Sequence, residues 1–165
     1  MILYVVRHAI AEDAPTGGDD GARKLTGPGR KKMKAAAAGL RALRVAPGIV
    51  LTSPLVRAVE TAAIVVAALQ RAPTPRELAA LTPDVAPADT LKALRVVGRH
   101  EDVMIVGHEP NLSRTIALLL FGATDGASIE LKKGACAALE LAAFEPGEAT
   151  LHWLLQPRVL RRLGR

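Results

Sequence analysis

Residues 2–8 read ILYVVRH, five apolar or aromatic residues of high β propensity followed directly by an arginine and a histidine. A run this short, rich in β-branched residues, is typical of a buried strand. Two later runs have the same form, at residues 49–52 (IVLT) and 102–106 (DVMIV). Helical patterns separate the three runs, and strands that alternate with helices usually pair in parallel beneath helical layers. The sequence therefore predicts an α/β fold.

The remaining elements extend this pattern over residues 1–165, which we expect to form one domain. We predict a three-layer α/β/α sandwich whose central sheet is mostly parallel with an antiparallel edge. Ser53 and Pro54 have the form of a helix N-cap and first helical residue. The predicted helices are Pro28–Arg44, Ser53–Gln70, Asp89–Arg99 and Asn111–Leu120, and the further predicted strands are 77–81, Ser128–Leu131, Ala135–Leu141 and Thr150–Leu155.

Charge and composition narrow the classes of function. The formal net charge is +6, so the surface attracts anions. The basic residues form no single long run; their two densest groups lie at 30–34 and 158–165, and each is predicted to be the solvated face of a helix. Aromatic residues make up only 2% of the chain, which argues against nucleic-acid recognition by base stacking.

The sequence offers no disulfide, zinc site or membrane segment. Cys136 is the one cysteine and lies in an apolar stretch, which indicates a buried, inert thiol. No signal segment opens the chain and no uncharged run approaches the ~20 residues that cross a bilayer. We expect a cytoplasmic protein.

Basic and imidazole side chains follow the predicted strands at the edge where ligands bind in parallel α/β sheets. Arg7 and His8 end the first strand, Arg57 lies in the first turn of the helix after the second, and His108 ends the third. Two guanidiniums beside helix N-termini suit the paired oxygens of a phosphate. A neutral imidazole beside them can act as a nucleophile. A metal held by the two histidines and Glu109 is the weaker alternative, because the arginines repel a divalent cation.

Three motifs in this order resemble those of the histidine phosphatase (phosphoglycerate mutase-like) superfamily: LYVVRHA at residues 3–9, LTSPLVRAVETA at 51–62 and VGHEPN at 106–111. The short length, the stretch RKLTGPG at 23–29 and the late Trp153…Pro157 resemble the SixA-type phosphohistidine phosphatases. The resemblance covers residues 1 to about 157. Ala9 stands where the superfamily signature has glycine.

The resemblance implies a role for each matching residue. His8 is the expected nucleophile, which becomes transiently phosphorylated. Arg7, Arg57 and His108 are expected to hold the phosphoryl oxygens, and Arg23 to reach the mouth of the pocket. Glu60 and Thr61 look like packing and orienting residues. No cofactor and no metal are implied.

One departure concerns the acid that protonates the leaving group in larger relatives, for which the sequence shows no obvious counterpart. The candidates are Glu12, Asp13, Glu77, Asp84 and Glu109. An alcohol leaves as a strongly basic oxyanion and needs a general acid, whereas imidazole, with a pKa near 6.5, departs with little help. The absence favours phosphohistidine as substrate.

The sequence thus predicts a metal-independent phosphatase that acts on a histidine-phosphorylated protein, such as a phosphotransfer domain. Two alternatives stay open. One is a phosphomonoesterase or mutase acting on a small phosphorylated metabolite, which would need a carboxylate near His8. The other is an inactive module that binds a phosphorylated partner. Neither nucleic acid nor a membrane is an expected partner, and the sequence specifies no oligomeric state.

Overall fold

The computed structural model describes residues 1–14, 16–69, 71–97, 102–125 and 127–165. These residues form six strands and five α-helices that largely alternate along the first two thirds of the chain. In chain order the elements are β1 (Ile2–Arg7), α1 (Gly27–Ala42), β2 (Ile49–Thr52), α2 (Val56–Ala68), β3 (Arg76–Glu77), α3 (Pro87–Val97), β4 (Val103–Gly107), α4 (Asn111–Phe121), β5 (Cys136–Leu141), β6 (Ala149–Leu155) and α5 (Pro157–Leu163).

The strands form one mixed sheet in the order β3-β2-β4-β1-β5-β6. The first four are parallel neighbours, and β5 and β6 add an antiparallel edge, which confirms the predicted fold class. In the register Arg7 lies opposite Gly107, and Thr52 lies opposite Val106. The carboxyl ends of β1, β2 and β4 are therefore level, and the residues that follow them share one edge of the sheet.

Helices cover both faces of the sheet because successive side chains of the central strands point to opposite faces and are apolar on both. Leu3 and Val5 point to the layer of α3 and α4, where they pack with Leu94 and Ile116. Tyr4 and Val6 belong to the opposite core, which α1, α2 and α5 cover. Cys136 is fully buried there, and burial raises the pKa of its thiol, in line with the inert role predicted from the sequence.

The short helix α5, which carries the last basic group, packs closely on α1. Gly39 makes the approach possible, because a Cβ at that position would overlap the main-chain carbonyl of Leu160. Arg158 and Arg162 are exposed on α5, and Lys31 and Lys34 are exposed on α1. The two basic groups are thus largely solvated helix faces, as predicted.

Two local predictions were wrong. Ser128–Leu131 forms no strand, because a side chain takes up its hydrogen bonds: Gln156 binds the main chain of Glu130 at 2.7 Å and of Lys132 at 3.2 Å. Helix α2 begins at Val56 with Leu55 as its N-cap, not at Ser53 and Pro54.

Other boundaries differ by a few residues. The strand predicted over 77–81 is the two-residue β3, followed by a 3-10 turn at Ala79–Leu81. Helix α3 starts at Pro87, and the predicted ends at Arg99 and Gln70 lie outside the described residues. Among the helices described, none combines the length and the apolar character needed to cross a membrane.

Candidate active site

His8 lies directly after β1 and is 6% exposed. Its Nδ1 lies 2.7 Å from the main-chain oxygen of Ala9. Because a carbonyl oxygen can only accept, Nδ1 carries the hydrogen and donates it. The lone pair of the neutral ring is therefore on Nε2, which is the nitrogen available for attack.

His108 follows β4, and its ring centroid lies 4.9 Å from that of His8. Its Nε2 lies 2.9 Å from Ser53 Oγ. Ser53 Oγ already accepts from the main-chain nitrogen of Leu55 at 3.3 Å, so its own hydrogen is free to go to His108 Nε2. This arrangement favours the tautomer in which His108 Nδ1 carries the hydrogen.

Ser53 is thus a site residue that sequence reasoning placed wrongly, as a helix cap. It is fully buried at the end of β2. The signal that could have found it is its register: it follows β2 where His8 follows β1 and His108 follows β4, so all three lie at the same sheet edge.

Arg57 comes from the first turn of α2 and is buried. Its guanidinium donates to Asp20 twice, from Nη1 to the main-chain oxygen at 2.8 Å and from Nη2 to Oδ2 at 3.0 Å. Asp20 also pairs through Oδ1 with Arg23 Nε at 2.8 Å. Arg23 is therefore linked to the site through the carboxylate of Asp20. The sequence analysis predicted Arg23 but not Asp20 as a site residue.

Arg7 is half-buried, and its guanidinium is held by the main chain of a segment far away in the sequence. Its Nη1 donates to the oxygen of Leu131 at 2.8 Å. Burial lowers the pKa of Arg7, and the charge of Glu109 opposes that shift. The same segment that was wrongly predicted as a strand thus orients one of the arginines.

Three buried nitrogens of this group have no hydrogen-bond partner among the described residues: Arg7 Nε, Arg57 Nε and His108 Nδ1. Leaving a buried donor unpaired costs about 1–3 kcal/mol. Three such donors from three elements, next to a histidine with a free lone pair, form a site suited to an anion with several oxygens.

The two imidazoles are neutral at pH 7. The pKa of His8 is lowered to about 4, first by burial and then by the charges of Arg57, Arg7 and Lys133, against the hydrogen bond to Ala9. The pKa of His108 is lowered to about 3 by burial, with smaller contributions from His8 and Arg57. His8 is therefore unprotonated and nucleophilic across the physiological range.

Comparison with known sequences identifies the same family that the motifs resemble. The sequence profile of the histidine phosphatase superfamily (branch 1) matches residues 3–81. An uncharacterised protein of Picosynechococcus sp. strain PCC 7002 is 35% identical over 145 residues, which is 87% of each chain. The chain belongs to the histidine phosphatase superfamily.

Solved structures place it within that superfamily. The protein histidine phosphatase SixA, solved in complex with tungstate, superposes with a TM-score of 0.83 at 26% identity, over 96% of this chain and 98% of that one. A mutant phosphoserine phosphatase of Entamoeba histolytica, in complex with phosphoserine, shares the fold with a TM-score of 0.69 at 14% identity, over 96% and 98% of the two chains. The chain is of the SixA type.

Glu60 and Thr61, in the second family motif, make hydrogen bonds that support the segments around the site. Thr61 Oγ1 accepts from the main-chain nitrogen of Ala9 at 3.0 Å and donates to the oxygen of Arg57 at 2.6 Å. Glu60 accepts from the main-chain nitrogen of Leu25 at 2.7 Å and pairs with Arg30 at 2.5 Å. Both contacts fit the orienting role expected for these residues.

The carboxylates predicted as candidate acids differ in their surroundings. Four of them, Glu12, Asp13, Glu77 and Asp84, are exposed. Glu109 is half-buried, with Oε1 buried and without a partner among the described residues, and its charge acts on Arg7. Asp20, bonded to Arg57, is a further carboxylate at the site. Across the part of the chain that is described, no three His, Cys, Asp or Glu side chains group as metal ligands would.

Proposed function

We propose that this chain is a metal-independent protein phosphohistidine phosphatase whose reaction passes through phosphorylated His8. Membership of the histidine phosphatase superfamily supports phosphatase activity. The observation that carries the proposal is the free lone pair on His8 Nε2 beside the three unpartnered donors of Arg7, Arg57 and His108.

In the first step His8 Nε2 attacks phosphorus. A new N–P bond forms while the bond from phosphorus to the leaving imidazole nitrogen breaks, and the leaving imidazole takes a proton from solvent, so that it departs neutral. Arg7, Arg57 and the Nδ1 hydrogen of His108 stabilise the negative charge on the equatorial oxygens. These donors are held before substrate arrives, so little reorganisation is needed during the reaction.

In the second step water attacks the phosphorus of phosphorylated His8. The N–P bond breaks, inorganic phosphate leaves as H2PO4− with both protons of the water, and His8 is restored as the neutral imidazole that keeps its Nδ1 hydrogen. The two positive guanidiniums oppose binding of a divalent cation at the same place, which supports the metal-independent route.

The choice of phosphohistidine rests on the leaving group. Imidazole, with a pKa near 6.5, can be protonated without a dedicated general acid, and the four exposed candidate carboxylates offer no buried one. The similarity to SixA, described as a protein histidine phosphatase, points the same way. A cytoplasmic location stays a prediction from the sequence.

One observation favours a second candidate, a phosphomonoesterase acting on a small metabolite. Glu109 Oε1 is buried and unpaired in the described part of the chain, and its carboxylate lies close enough to act electrostatically on Arg7. A carboxylate in that position could supply the proton that an alcohol leaving group requires. Loss of activity toward esters but not toward phosphohistidine in Glu109→Gln would identify this role.

The test compares wild type, His8→Ala and His152→Ala without added metal. His152 is an exposed histidine on β6, bonded to Glu140 at 2.8 Å, and is a matched control. We expect wild type and the control to release phosphate from a histidine-phosphorylated phosphotransfer domain, with transient acid-labile, base-stable label on the enzyme. His8→Ala should do neither. Faster turnover of a phosphate monoester would select the metabolite function, and binding of phosphate without any turnover would select the binding module.

A further inference from the structure

A positively charged cleft opens beside His8, on the side of the sheet covered by α1 and α5. It has a volume of about 100 Å³, and Ala9 and Gly134 form part of its wall. Three basic side chains line it: Lys32 from α1, Lys133 from the turn before β5, and Arg161 from α5. We call this feature, defined by these five residues, the cationic cleft.

The cleft is attached rigidly to the phosphoryl site. Gly134 lies in the turn before β5 with a φ of 83°, and its main-chain nitrogen donates to the oxygens of Arg7 and His8 at 3.1 and 3.2 Å. A non-glycine residue would be strained at this φ. The charge of Lys133 lowers the pKa of His8, so the cleft and the catalytic imidazole also interact electrostatically.

The three cations carry uncompensated charge. Within the described ranges none of them forms an ion pair with a carboxylate, whereas Arg23, Arg30, Arg57, Arg95 and Lys132 all do. Three like charges around one small cleft repel one another, which makes the cleft attractive to anions. Met33, Ala36 and Pro157 supply apolar surface between the cations.

The phosphoryl group itself is expected at the arginines, so the cleft is available to whatever flanks it. A small phosphorylated metabolite would fill the phosphoryl site and extend little beyond it. A polypeptide that presents phosphohistidine also brings flanking side chains, and the cleft lies next to His8 because Ala9 forms part of its wall.

We propose that the cationic cleft binds acidic side chains of the protein segment that carries the phosphorylated histidine, and so selects acidic protein substrates. This inference rests on the proposed function and adds to it the chemical class of the partner. Complementary charge of this kind acts mainly on encounter and selectivity, so its effect should appear in kcat/KM and should weaken as salt is raised.

The test removes two charges from the cleft in Lys32→Ala/Arg161→Ala. The matched control is Lys34→Ala/Arg158→Ala, which removes two exposed cations from the same two helices outside the cleft. Lys133 is left in place because its charge acts on His8. The substrates are phosphoramidate and two phosphohistidine peptides that differ only in having acidic or neutral flanking residues.

We expect the cleft variant to lower kcat/KM for the acidic peptide about 5- to 10-fold at low salt, which corresponds to two surface ion pairs near the middle of their usual range of strength. Turnover of the neutral peptide and of phosphoramidate should stay within about twofold, as should all activities of the control variant. An equal loss in the control, or an equal loss for both peptides, would overturn the proposal.

Failure of the proposed function gives a different result. No variant, wild type included, would then turn over phosphoramidate or either peptide. Binding of an unphosphorylated acidic peptide to the His8→Ala background, measured by fluorescence anisotropy, still tests the cleft. Weaker binding on loss of Lys32 and Arg161, but not of Lys34 and Arg158, supports it, and equal binding refutes it.

Discussion

The carboxylate of Asp20 is bonded to Arg57, the guanidinium that we expect to bind the phosphoryl group. It accepts from Arg57 Nη2 at 3.0 Å and pairs with Arg23 Nε at 2.8 Å. The side chain of Arg57 is 4% exposed and that of Asp20 is 55% exposed, so the acid sits on the solvent side of a buried cation. A phosphoryl group that approaches Arg57 must displace this carboxylate or share the guanidinium with it.

Asp20→Asn removes the competing charge and keeps the size of the side chain. An exposed ion pair contributes about 0.2–1 kcal/mol, and we take the upper value of ~1 kcal/mol because one partner is buried. Since about 1.4 kcal/mol corresponds to a tenfold change in affinity, phosphate should bind about fivefold more tightly to the variant.

Competitive inhibition by inorganic phosphate at pH 7 and fixed ionic strength measures this effect. Burial acts to raise the pKa of Asp20, but Arg57 and Arg23 outweigh it and hold the pKa below its ordinary value, so wild type carries the full negative charge at this pH. Product inhibition should therefore be stronger in the variant, and kcat should fall if release of phosphate limits turnover.

Asp19→Asn is the matched control. Asp19 precedes Asp20 and accepts from the main-chain nitrogen of Gly21 at 2.7 Å, a bond that asparagine can also accept. The control removes the same charge without touching Arg57. Equal affinity of both variants would show that only net charge matters, and weaker phosphate binding by Asp20→Asn would show that Asp20 orders Arg57 for the substrate. Either result refutes the competition argument.

Three further predictions concern pH, the tautomer of His108 and helix packing. Folding lowers the pKa of His8 to about 4 and that of His108 to about 3, so the unfolded chain binds more protons than the folded chain below pH 6.5. The free energy of unfolding, measured by denaturant titration, should therefore fall by up to about 4 kcal/mol between pH 7 and pH 5. The variant His8→Asn should show about half of this fall. Ser53→Ala should leave the fold intact but lower kcat about 10-fold or more, because it removes the hydrogen bond that orients His108. Ser53→Thr should restore part of the lost kcat. An unchanged kcat in Ser53→Ala would contradict the assigned tautomer of His108. Gly39→Ala should lower the free energy of unfolding by about 1–3 kcal/mol, because the new Cβ meets the Leu160 carbonyl. The control Gly27→Ala, whose Cβ would have no atom within 4 Å, should change this free energy by less than about 0.5 kcal/mol. Equal effects of the two variants would refute the packing argument.

Much of the fold could be predicted because its signals are local. The run at residues 2–6 alternates between the two cores, and the stripe on α1 is set by side chains three and four residues apart. The strand ends could be predicted for the same reason, and with them the expectation that Arg7, His8, Arg57 and His108 share one edge of the sheet.

Local signals also explain the errors. Ser128–Leu131 has strand-like composition, but its hydrogen-bonding groups go to Gln156 and Arg7, residues that are far away in the chain. Ser53 before a proline has the form of a helix cap, but His108, 55 residues on, takes its hydroxyl. In both cases a long-range partner competed successfully with the local pattern.

The sequence by itself determined the alternation of strands and helices, the family and the set of residues from which a phosphoryl site could be built. The tertiary structure decided how those residues are used: which nitrogen of His8 is free, which donors lack partners, that Asp20 pairs with Arg57 across 37 residues, and that cations from three elements meet at the cationic cleft. The physical reason is that hydrogen bonds and charges act over a few ångströms in space, whatever the separation along the chain. Periodicity, in contrast, is already present in the order of the residues.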